Sequence, residues 1–214
     1  MQLCKVCNYT SHMIKDSKKN IHYYRCDFCQ FVWLDEAFMV TKEREKKQYD
    51  QHNNSLENIG YVQMFEDFID EAIAPYLPNI QTALDFGSGP TPVFSKLLER
   101  RDLKVDIYDI YYAPKRVFED KSYDLITSTE VFEHLSKPLE TLKMLTEHLN
   151  PKGYTVLMTK FPPKDDQVFL DWWYRRDATH ISFFTPKSFE IMAQKTGLKV
   201  LKILNDNVVV FQKC

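Results

Sequence analysis

The chain has 214 residues, of which 44% are hydrophobic and 14% aromatic, so it has enough apolar material for a packed core and is not a disordered chain. Its 28 Lys and Arg residues nearly balance 30 Asp and Glu residues, and the net charge of −2 excludes a protein held to nucleic acid mainly by a large positive field. The sequence has neither an apolar run long enough to cross a membrane nor the apolar centre of a secretory signal, so we expect a cytoplasmic protein with no membrane partner.

Residues 1–40 contain short β-prone segments and two pairs of cysteines. Cys4 and Cys7 form one C-x-x-C unit, Cys26 and Cys29 form the second, and 18 residues lie between the units. This spacing is typical of a tetrahedral zinc site, and four thiolates leave no open position for catalysis. The segment is therefore predicted to be a small zinc ribbon with structural zinc. The alternative is a ribbon that has lost its metal and packs the cysteines as small hydrophobic residues.

The rest of the chain changes from charged and helical to alternating strands and helices. Residues 41–53 predict a solvated helix or linker, and the apolar spacing over 61–76 predicts an amphipathic helix. Further on, strands are predicted at 83–86, 104–109, 123–128 and 154–159, helices at 92–101, 139–149 and 186–197, and a hairpin across 205–207. This order indicates an α/β fold, with a mostly parallel sheet, helices on both faces and a C-terminal antiparallel hairpin.

A glycine turn follows the first of these strands. Segment 84–92 leads from the strand into a helix, and Gly87 and Gly89 allow the backbone to approach a ligand closely. Pro90 and Pro92 remove two amide donors, so a pyrophosphate ligand is disfavoured. A zwitterionic amino-acid group fits this turn better.

Two acids accompany the turn. Asp85 lies at the carboxyl end of the first strand, and Asp109 ends the next strand, where a carboxylate can bind both hydroxyls of a ribose. Together they favour a nucleoside-type ligand. The alternatives are a helix cap for Asp85 and a turn acid for Asp109.

Several motifs over residues 76–214 resemble class I S-adenosylmethionine-dependent methyltransferases. They are D-x-G-x-G at the turn, Y-D at the second strand, YDLITSTEVFEHL, and N-P-K-G-Y before a later strand. The segment DATHISFFTPKSFEIMAQKTGLKV is similar to the matching part of the broad group that includes ubiquinone-type methylases. The resemblance implies a Rossmann-like methyltransferase domain over 76–214, with S-adenosylmethionine as the cofactor.

The resemblance also implies roles for individual residues. Asp85, Gly87 and Gly89 would border the methionine half of the cofactor, and Asp109 its ribose. Thr129 and Glu130 would lie beside the methyl-transfer cavity. Tyr49 and His52 resemble an N-terminal Y-x-x-H that covers the cofactor in relatives with a cysteine-rich start, so residues 41–75 are expected to be a helical linker that covers the cofactor.

The chain departs from the family pattern between the second strand and the next. Thr91 stands at the usual third glycine, and only 14 residues separate Asp109 from Asp124, where the family has a helix, a strand and another helix. The sheet is therefore expected to be shortened there, and the acid that contacts adenine is missing. Ile110 and the two tyrosines after it are expected to pack against adenine; alternatively, they only cover the shortened sheet.

A second group of polar residues follows the third strand. Glu130, Glu133 and His134 form E-x-x-E-H, and His180 completes an O/O/N/N set suited to a divalent metal. The set resembles the metal site of small-RNA 3′-terminal 2′-O-methyltransferases and of some ubiquinone O-methylases. In the alternative, Glu133 and His134 are structural, and His180 lines the acceptor pocket as a general base.

Aromatic residues surround His180 in the sequence, and they predict either a wall that stacks a planar acceptor or a core beneath a long loop. They are Trp172, Trp173, Tyr174, Phe183 and Phe184.

The function predicted from the sequence is S-adenosylmethionine-dependent methyl transfer to an acceptor that the sequence does not name, either a small molecule or RNA. One rival is a catalytically inactive cofactor-binding or adaptor protein, which the shortened sheet favours. The other is a nucleotide-dependent oxidoreductase, which the proline-bearing turn disfavours. The oligomeric state is left open.

Overall fold

The computed structural model of the chain describes residues 2–51 and 55–214. Its strands are β1 (Ser11–Asp16), β2 (Ile21–Cys26), β3 (Val32–Leu34), β4 (Thr82–Phe86), β5 (Lys104–Tyr108), β6 (Tyr123–Thr129), β7 (Leu149–Met158), β8 (Ser182–Phe183), β9 (Leu198–Leu204) and β10 (Val208–Lys213). Its α-helices are α1 (Lys42–Tyr49), α2 (Ile59–Ala72), α3 (Val93–Glu99), α4 (Pro138–Glu147), α5 (Asp166–Asp171) and α6 (Pro186–Thr196). Short 3₁₀ turns lie at Glu36–Phe38, Ala74–Asn79, Phe132–His134 and Trp173–Arg176.

The larger sheet has six strands in the order β5–β4–β6–β7–β10–β9. β4 runs parallel to β5 and β6, β6 runs parallel to β7, and β10 is antiparallel to both β7 and β9. The predicted α/β fold, with its mostly parallel sheet and C-terminal hairpin, is confirmed.

Alternation along β4 explains why helices cover both faces of this sheet. Leu84 and Phe86 belong to the buried cluster that includes residues of α4 and α6. Ala83, one position out of phase, belongs to the cluster that includes residues of α2 and α3. Successive strand residues point to opposite faces, so a run that is apolar at nearly every position is buried on both sides.

The connection from β5 to β6 is short, as expected. Residues 109–122 form turns and an isolated bridge between Asp109 and Ala113, with no helix in this fully described stretch. The short connection places Tyr108, the last residue of β5, and Asp109 beside the carboxyl end of β4.

The cysteine-rich segment forms a second sheet of four antiparallel strands in the order β1–β2–β3–β8. Three strands come from the N-terminus, but β8 comes from residues 182–183, so the second half of the chain completes this sheet. The domain limits 1–40, 41–75 and 76–214 stay a prediction. Among the described helices, none is both long enough and apolar enough to cross a membrane.

Candidate active site

A cavity of about 660 Å³ opens at the carboxyl ends of β4, β5 and β6. This is the switch point of the sheet, because the chain passes from β4 to β5 on one side and then crosses to β6 on the other side of β4. Open α/β sheets bind ligands at such a point. The predicted site residues that line it are Tyr49, Asp85, Gly87, Gly89, Asp109, Ile110, Thr129, Glu130, His134 and His180. Glu133 is fully buried and is not among the lining residues, and His52 lies outside the described residues.

The glycine turn is held tightly at the floor of this cavity. Gly87 has a φ of 90°, in the left-handed region, and its amide donates to the carbonyl of Tyr108 at 2.7 Å. A Cβ added at Gly87 would collide with the side chain of Val131. Glycine is therefore required here by the backbone conformation and by a protein neighbour, independently of any ligand.

Asp85 is almost completely buried at the end of β4, with 1% of its surface exposed. One carboxylate oxygen accepts a hydrogen bond from the Ser95 hydroxyl at 2.7 Å, while the other, Oδ1, is buried with no partner among the described residues. Burial raises the pKa of Asp85 to about 6, Ser95 opposes the shift, and the charge of Asp109 adds to it. An unpartnered buried carboxylate oxygen is costly, and a cationic group bound beside it would satisfy it.

Asp109 fixes the backbone of the turn that follows β5 and of the glycine turn. Its Oδ1 accepts the amides of Tyr111 and Tyr112 at 2.8 and 3.0 Å, and its Oδ2 accepts the amide of Gly89 at 3.0 Å. Asp109 therefore holds the turn that follows β5, and its contact with a ribose stays a prediction. Each carboxylate oxygen can accept about two hydrogen bonds, so Oδ2 keeps capacity for a ligand hydroxyl.

The residues after Asp109 bind the charged helix α1. The hydroxyl of Tyr112 donates to Asp50 at 2.6 Å, and the hydroxyl of Tyr111 donates to Glu45. Within α1 the hydroxyl of Tyr49 donates to Glu45 at 3.1 Å, and both residues line the cavity. Ile110 is the exposed member of this segment and lines the cavity, so it remains available to a ligand.

Two glutamates meet a tyrosine at the end of β6. Glu130 has a φ of 54°, rare for a residue with a side chain, and such strain is concentrated at functional sites. The hydroxyl of Tyr174 lies 3.0 Å from Oε2 of Glu130 and also contacts Oε1 of Glu133. Burial raises the pKa of both carboxyls, and for Glu130 the charge of Glu133 adds to it. One phenol proton cannot serve two carboxylates, so the group is stable when it also holds a proton or a cation.

The two histidines make the same kind of contact with the backbone. Nδ1 of His134 lies 3.0 Å from the carbonyl of Thr179, and Nδ1 of His180 lies 2.7 Å from the carbonyl of Tyr174. A carbonyl only accepts, so both Nδ1 atoms carry the proton and Nε2 is the basic nitrogen of each neutral ring. One ligand atom from each of Glu133, His134 and His180 lies within 4.8 Å of the others, a compact set for a metal ion. Glu130 lies outside this set but contacts it through Tyr174.

The aromatic segment divides between core and cavity. Tyr174, Phe183 and Phe184 are buried, as expected for a core beneath a loop. Trp173 is 58% exposed and lines the cavity, with Nζ of Lys160 5.8 Å from its ring centre. Tyr174 also lines the cavity, but its ring is buried, so Trp173 offers a ligand the more exposed ring.

The four N-terminal cysteines come together in one cluster. Sγ of Cys4 is 3.5 Å from Sγ of Cys29, and Sγ of Cys7 is 3.3 Å from Sγ of Cys26. A tetrahedral zinc ion with Zn–S bonds of about 2.3 Å would hold its sulfurs about 3.8 Å apart, so little movement is needed to accept one. The set is closed, because four thiols fill all four positions.

Sequence reasoning missed the double role of Tyr174. Its hydroxyl contacts the glutamate pair and its carbonyl binds His180, although it lies 44 residues after Glu130. Nothing in the local pattern of aromatic residues indicates such contacts, because they depend on how two distant loops pack.

Comparison with known proteins identifies the fold. An O-methyltransferase family protein from Burkholderia thailandensis is 14% identical, with a TM-score of 0.56, over 83% of this chain and 63% of that one. DesVI from Streptomyces venezuelae is 15% identical, with a TM-score of 0.54, over 82% and 100%. Magnesium protoporphyrin IX methyltransferase from Synechocystis PCC 6803, solved with bound S-adenosylhomocysteine (SAH), is 14% identical, with a TM-score of 0.53, over 80% and 94%.

These identities are low, so the structures establish a shared fold and nothing finer. The chain spans less than two thirds of the first of them. No curated protein sequence matches the chain. A family model described as a methyltransferase domain matches residues 27–203, which is most of the chain. The chain therefore belongs to the methyltransferase domain family.

Proposed function

We propose that the chain transfers a methyl group from S-adenosylmethionine to an acceptor bound in the cavity of about 660 Å³. The observation that carries the proposal is the buried, unpartnered oxygen of Asp85 beside the glycine turn, in a chain of the methyltransferase domain family. That oxygen fits the ammonium group of a methionine moiety, which would neutralise the carboxylate.

Other residues of the cavity fit the rest of this cofactor. Oδ2 of Asp109 has capacity for a ribose hydroxyl, and the exposed side chain of Ile110 offers an apolar surface to adenine. The glycine turn brings backbone close to the methionine part, and Tyr49 on α1 lies on the covering side. His52 is proposed to act with Tyr49.

Methyl transfer mainly requires that the acceptor atom be aligned with the methyl group of the cofactor. When bound, S-adenosylmethionine supplies an electrophilic methyl group on a sulfonium. The residues of the chain then have to orient the acceptor for in-line attack and exclude water, a role we assign to Thr129 and Glu130 beside the transfer position and to α1 above it. A hydroxyl acceptor also has to lose its proton.

We assign the acceptor end to Glu133, His134 and His180, which would hold a divalent cation that binds an acceptor oxygen and lowers its pKa. The Nδ1 bonds of both histidines to backbone carbonyls support this, because metal-ligating histidines characteristically donate their other ring N–H in this way. The competing role is His180 as a metal-independent general base. Chelation that abolishes activity, and Mg²⁺ or Mn²⁺ that restores it, would support the cation.

The cysteine cluster is proposed to bind one structural zinc ion.

We also infer from the DATHISFF segment that the chain falls in the broad group that includes ubiquinone-type methylases. The acceptor is proposed to be a small molecule or RNA.

Two measurements test the proposal. Calorimetry should detect binding of SAH and none of NAD. Asp109→Asn should weaken SAH binding by about 1.5–3 kcal/mol, as for a hydrogen bond to a charged group. The matched control is Asp106→Asn, on β5 just before Asp109, where the carboxylate binds Tyr123 and Lys121 outside the cavity. Its SAH affinity should be unchanged.

Transfer of labelled methyl groups into cell extract, fractionated into RNA, protein and small molecules, should place the label in one fraction. SAH binding without label in any fraction would support the inactive cofactor-binding or adaptor protein instead. Binding of NAD in preference to SAH would support the oxidoreductase.

A further inference from the structure

Tyr174 contacts both the glutamate pair and one of the two histidines at the acceptor end of the cavity. Its hydroxyl contacts both Glu130 and Glu133, and its backbone carbonyl lies 2.7 Å from Nδ1 of His180. A shift of this one residue would therefore move the carboxylate pair and the histidine together.

The next residue, Arg175, anchors Tyr174 to the cysteine-rich sheet. Its guanidinium pairs with Asp16 at the end of β1, and both side chains are only 4% exposed. It also donates to the hydroxyl of Tyr23 at 3.2 Å and to the carbonyl of Leu170 at 2.9 Å. The other oxygen of Asp16 accepts two amides of the turn that follows β1, so its position is fixed by the backbone.

We propose that the Asp16–Arg175 ion pair is a positioning device through which the N-terminal sheet sets Tyr174, and through it the acceptor end of the cavity. Asp16 and Arg175 are positioning residues, since neither lines the cavity. The inference rests on the proposed function for its activity readout. The rival explanation is that the pair serves only stability.

Neutral replacement separates these explanations. Removing one partner would leave a buried unpaired charge, whereas replacing both keeps the interior neutral and often costs no stability. The variant Asp16→Asn with Arg175→Met does this, and the Asn oxygen can still accept the turn amides.

The matched control is Arg25→Met with Asp166→Asn. This pair also joins the N-terminal sheet to the α5 region, at 2.7 Å, and Arg25 lies 5.7 Å from the ring of Phe169, against 5.8 Å for Arg175. It differs in not adjoining Tyr174, and also in that Asp166 is 33% exposed and contacts His12.

The experiment compares three quantities: label transfer into cell extract, SAH affinity, and amide exchange at Ile181, whose N–H donates to the carbonyl of Glu133 at 2.8 Å. In the Asp16–Arg175 variant, transfer should fall about 10- to 100-fold, as for a small misplacement near the reacting atoms, with SAH affinity unchanged. Ile181 exchange should become faster. The control should stay within about twofold of the wild type in each quantity.

Coupling to Tyr174→Phe provides a readout that a purely structural role would not move. If the ion pair acts through Tyr174, the losses from Tyr174→Phe and from the ion-pair variant should combine to less than their product. Full transfer and unchanged Ile181 exchange in the ion-pair variant, or losses that simply multiply, would overturn the proposal. If the wild type transfers no label, the proposed function fails, and Ile181 exchange in the two variants still decides whether the pair positions this segment.

Discussion

At the scale of single residues, the buried charge of Asp85 lowers the stability of the folded chain but favours the binding of a cationic ligand. Burial raises its pKa to about 6 from an ordinary value of 3.8, so the folded chain holds this proton more tightly than the unfolded chain does. Protonated Asp85 therefore contributes to the free energy of unfolding. This contribution is fully present below about pH 3.8 and is lost as the pH rises through about 6. At neutral pH the chain therefore keeps an unfavourable buried charge, which is useful if a cation binds there.

We expect Asp85→Asn to raise the free energy of unfolding at pH 7 by about 2–3 kcal/mol, the value of this pKa shift, and to weaken SAH binding. Urea unfolding followed from pH 4 to 7.5 should show the difference from the wild type growing to about pH 6 and then levelling off. A less stable Asp85→Asn protein at pH 7 would contradict the account.

Gly87 offers a second test at this scale, because its constraint comes from Val131. Gly87→Ala should destabilise the chain by more than the roughly 1–2 kcal/mol of a left-handed backbone, since the new Cβ also meets Val131. Val131→Ala should destabilise the wild type but stabilise Gly87→Ala. Thermal unfolding of the four proteins measures this, and the same sign of effect in both backgrounds would rule out the contact.

At the scale of elements, α1 is held over the cavity by polar contacts and by the ring of Tyr49. The centre of that ring lies 5.8 Å from the ring centre of Tyr111 and 5.1 Å from that of His134. None of its residues is buried, and its links to the site include the Tyr111–Glu45 and Tyr112–Asp50 hydrogen bonds. Helices attached in this way open at low cost, because little apolar surface is exposed when they leave.

Removing both hydroxyls, with Tyr111→Phe and Tyr112→Phe, should raise the dissociation rate of SAH and the amide exchange of α1. Each lost bond to a carboxylate is worth about 1.5–3 kcal/mol, so SAH should leave at least about tenfold faster. Tyr9→Phe, on an exposed residue of the N-terminal segment, is the control. An unchanged dissociation rate in the double variant would mean that α1 does not retain the ligand.

Elements with a strong local pattern were predictable from the sequence. β4, the β9–β10 hairpin and the short connection after Asp109 follow from alternation, turn residues and spacing. β8 was not, because it has two residues and exists only by pairing with β3, some 150 positions away. The site divides in the same way: the glycine turn and its acids are local motifs, whereas Tyr174 depends on how distant loops pack.

At the scale of the whole molecule, the cysteine cluster and the larger sheet share one core. Cys4, Cys26 and Cys29 belong to the same buried cluster as Leu84 and Phe189.

Polar contacts reinforce this link. The hydroxyl of Thr185, the N-cap of α6, donates to the carbonyl of Cys29 at 2.7 Å, and Nζ of Lys195 donates to the carbonyl of Val6 at 2.8 Å. A disturbance at the cysteines should therefore reach β8 and the start of α6.

Purified protein should carry about one zinc ion per chain, and Cys26→Ser should release it, because three thiolates with a hydroxyl hold zinc less well than four thiolates. We expect the variant to lose thermal stability and to show faster amide exchange in residues 1–40, and also at Thr185, where the carbonyl of Cys29 is no longer fixed. Cys214→Ser is the matched control, because Cys214 is exposed and lies outside the cluster. Elemental analysis and amide exchange measure both effects. Metal-free wild-type protein that is fully folded would reject the zinc site, and faster exchange confined to residues 1–40 would reject the coupling between this cluster and α6.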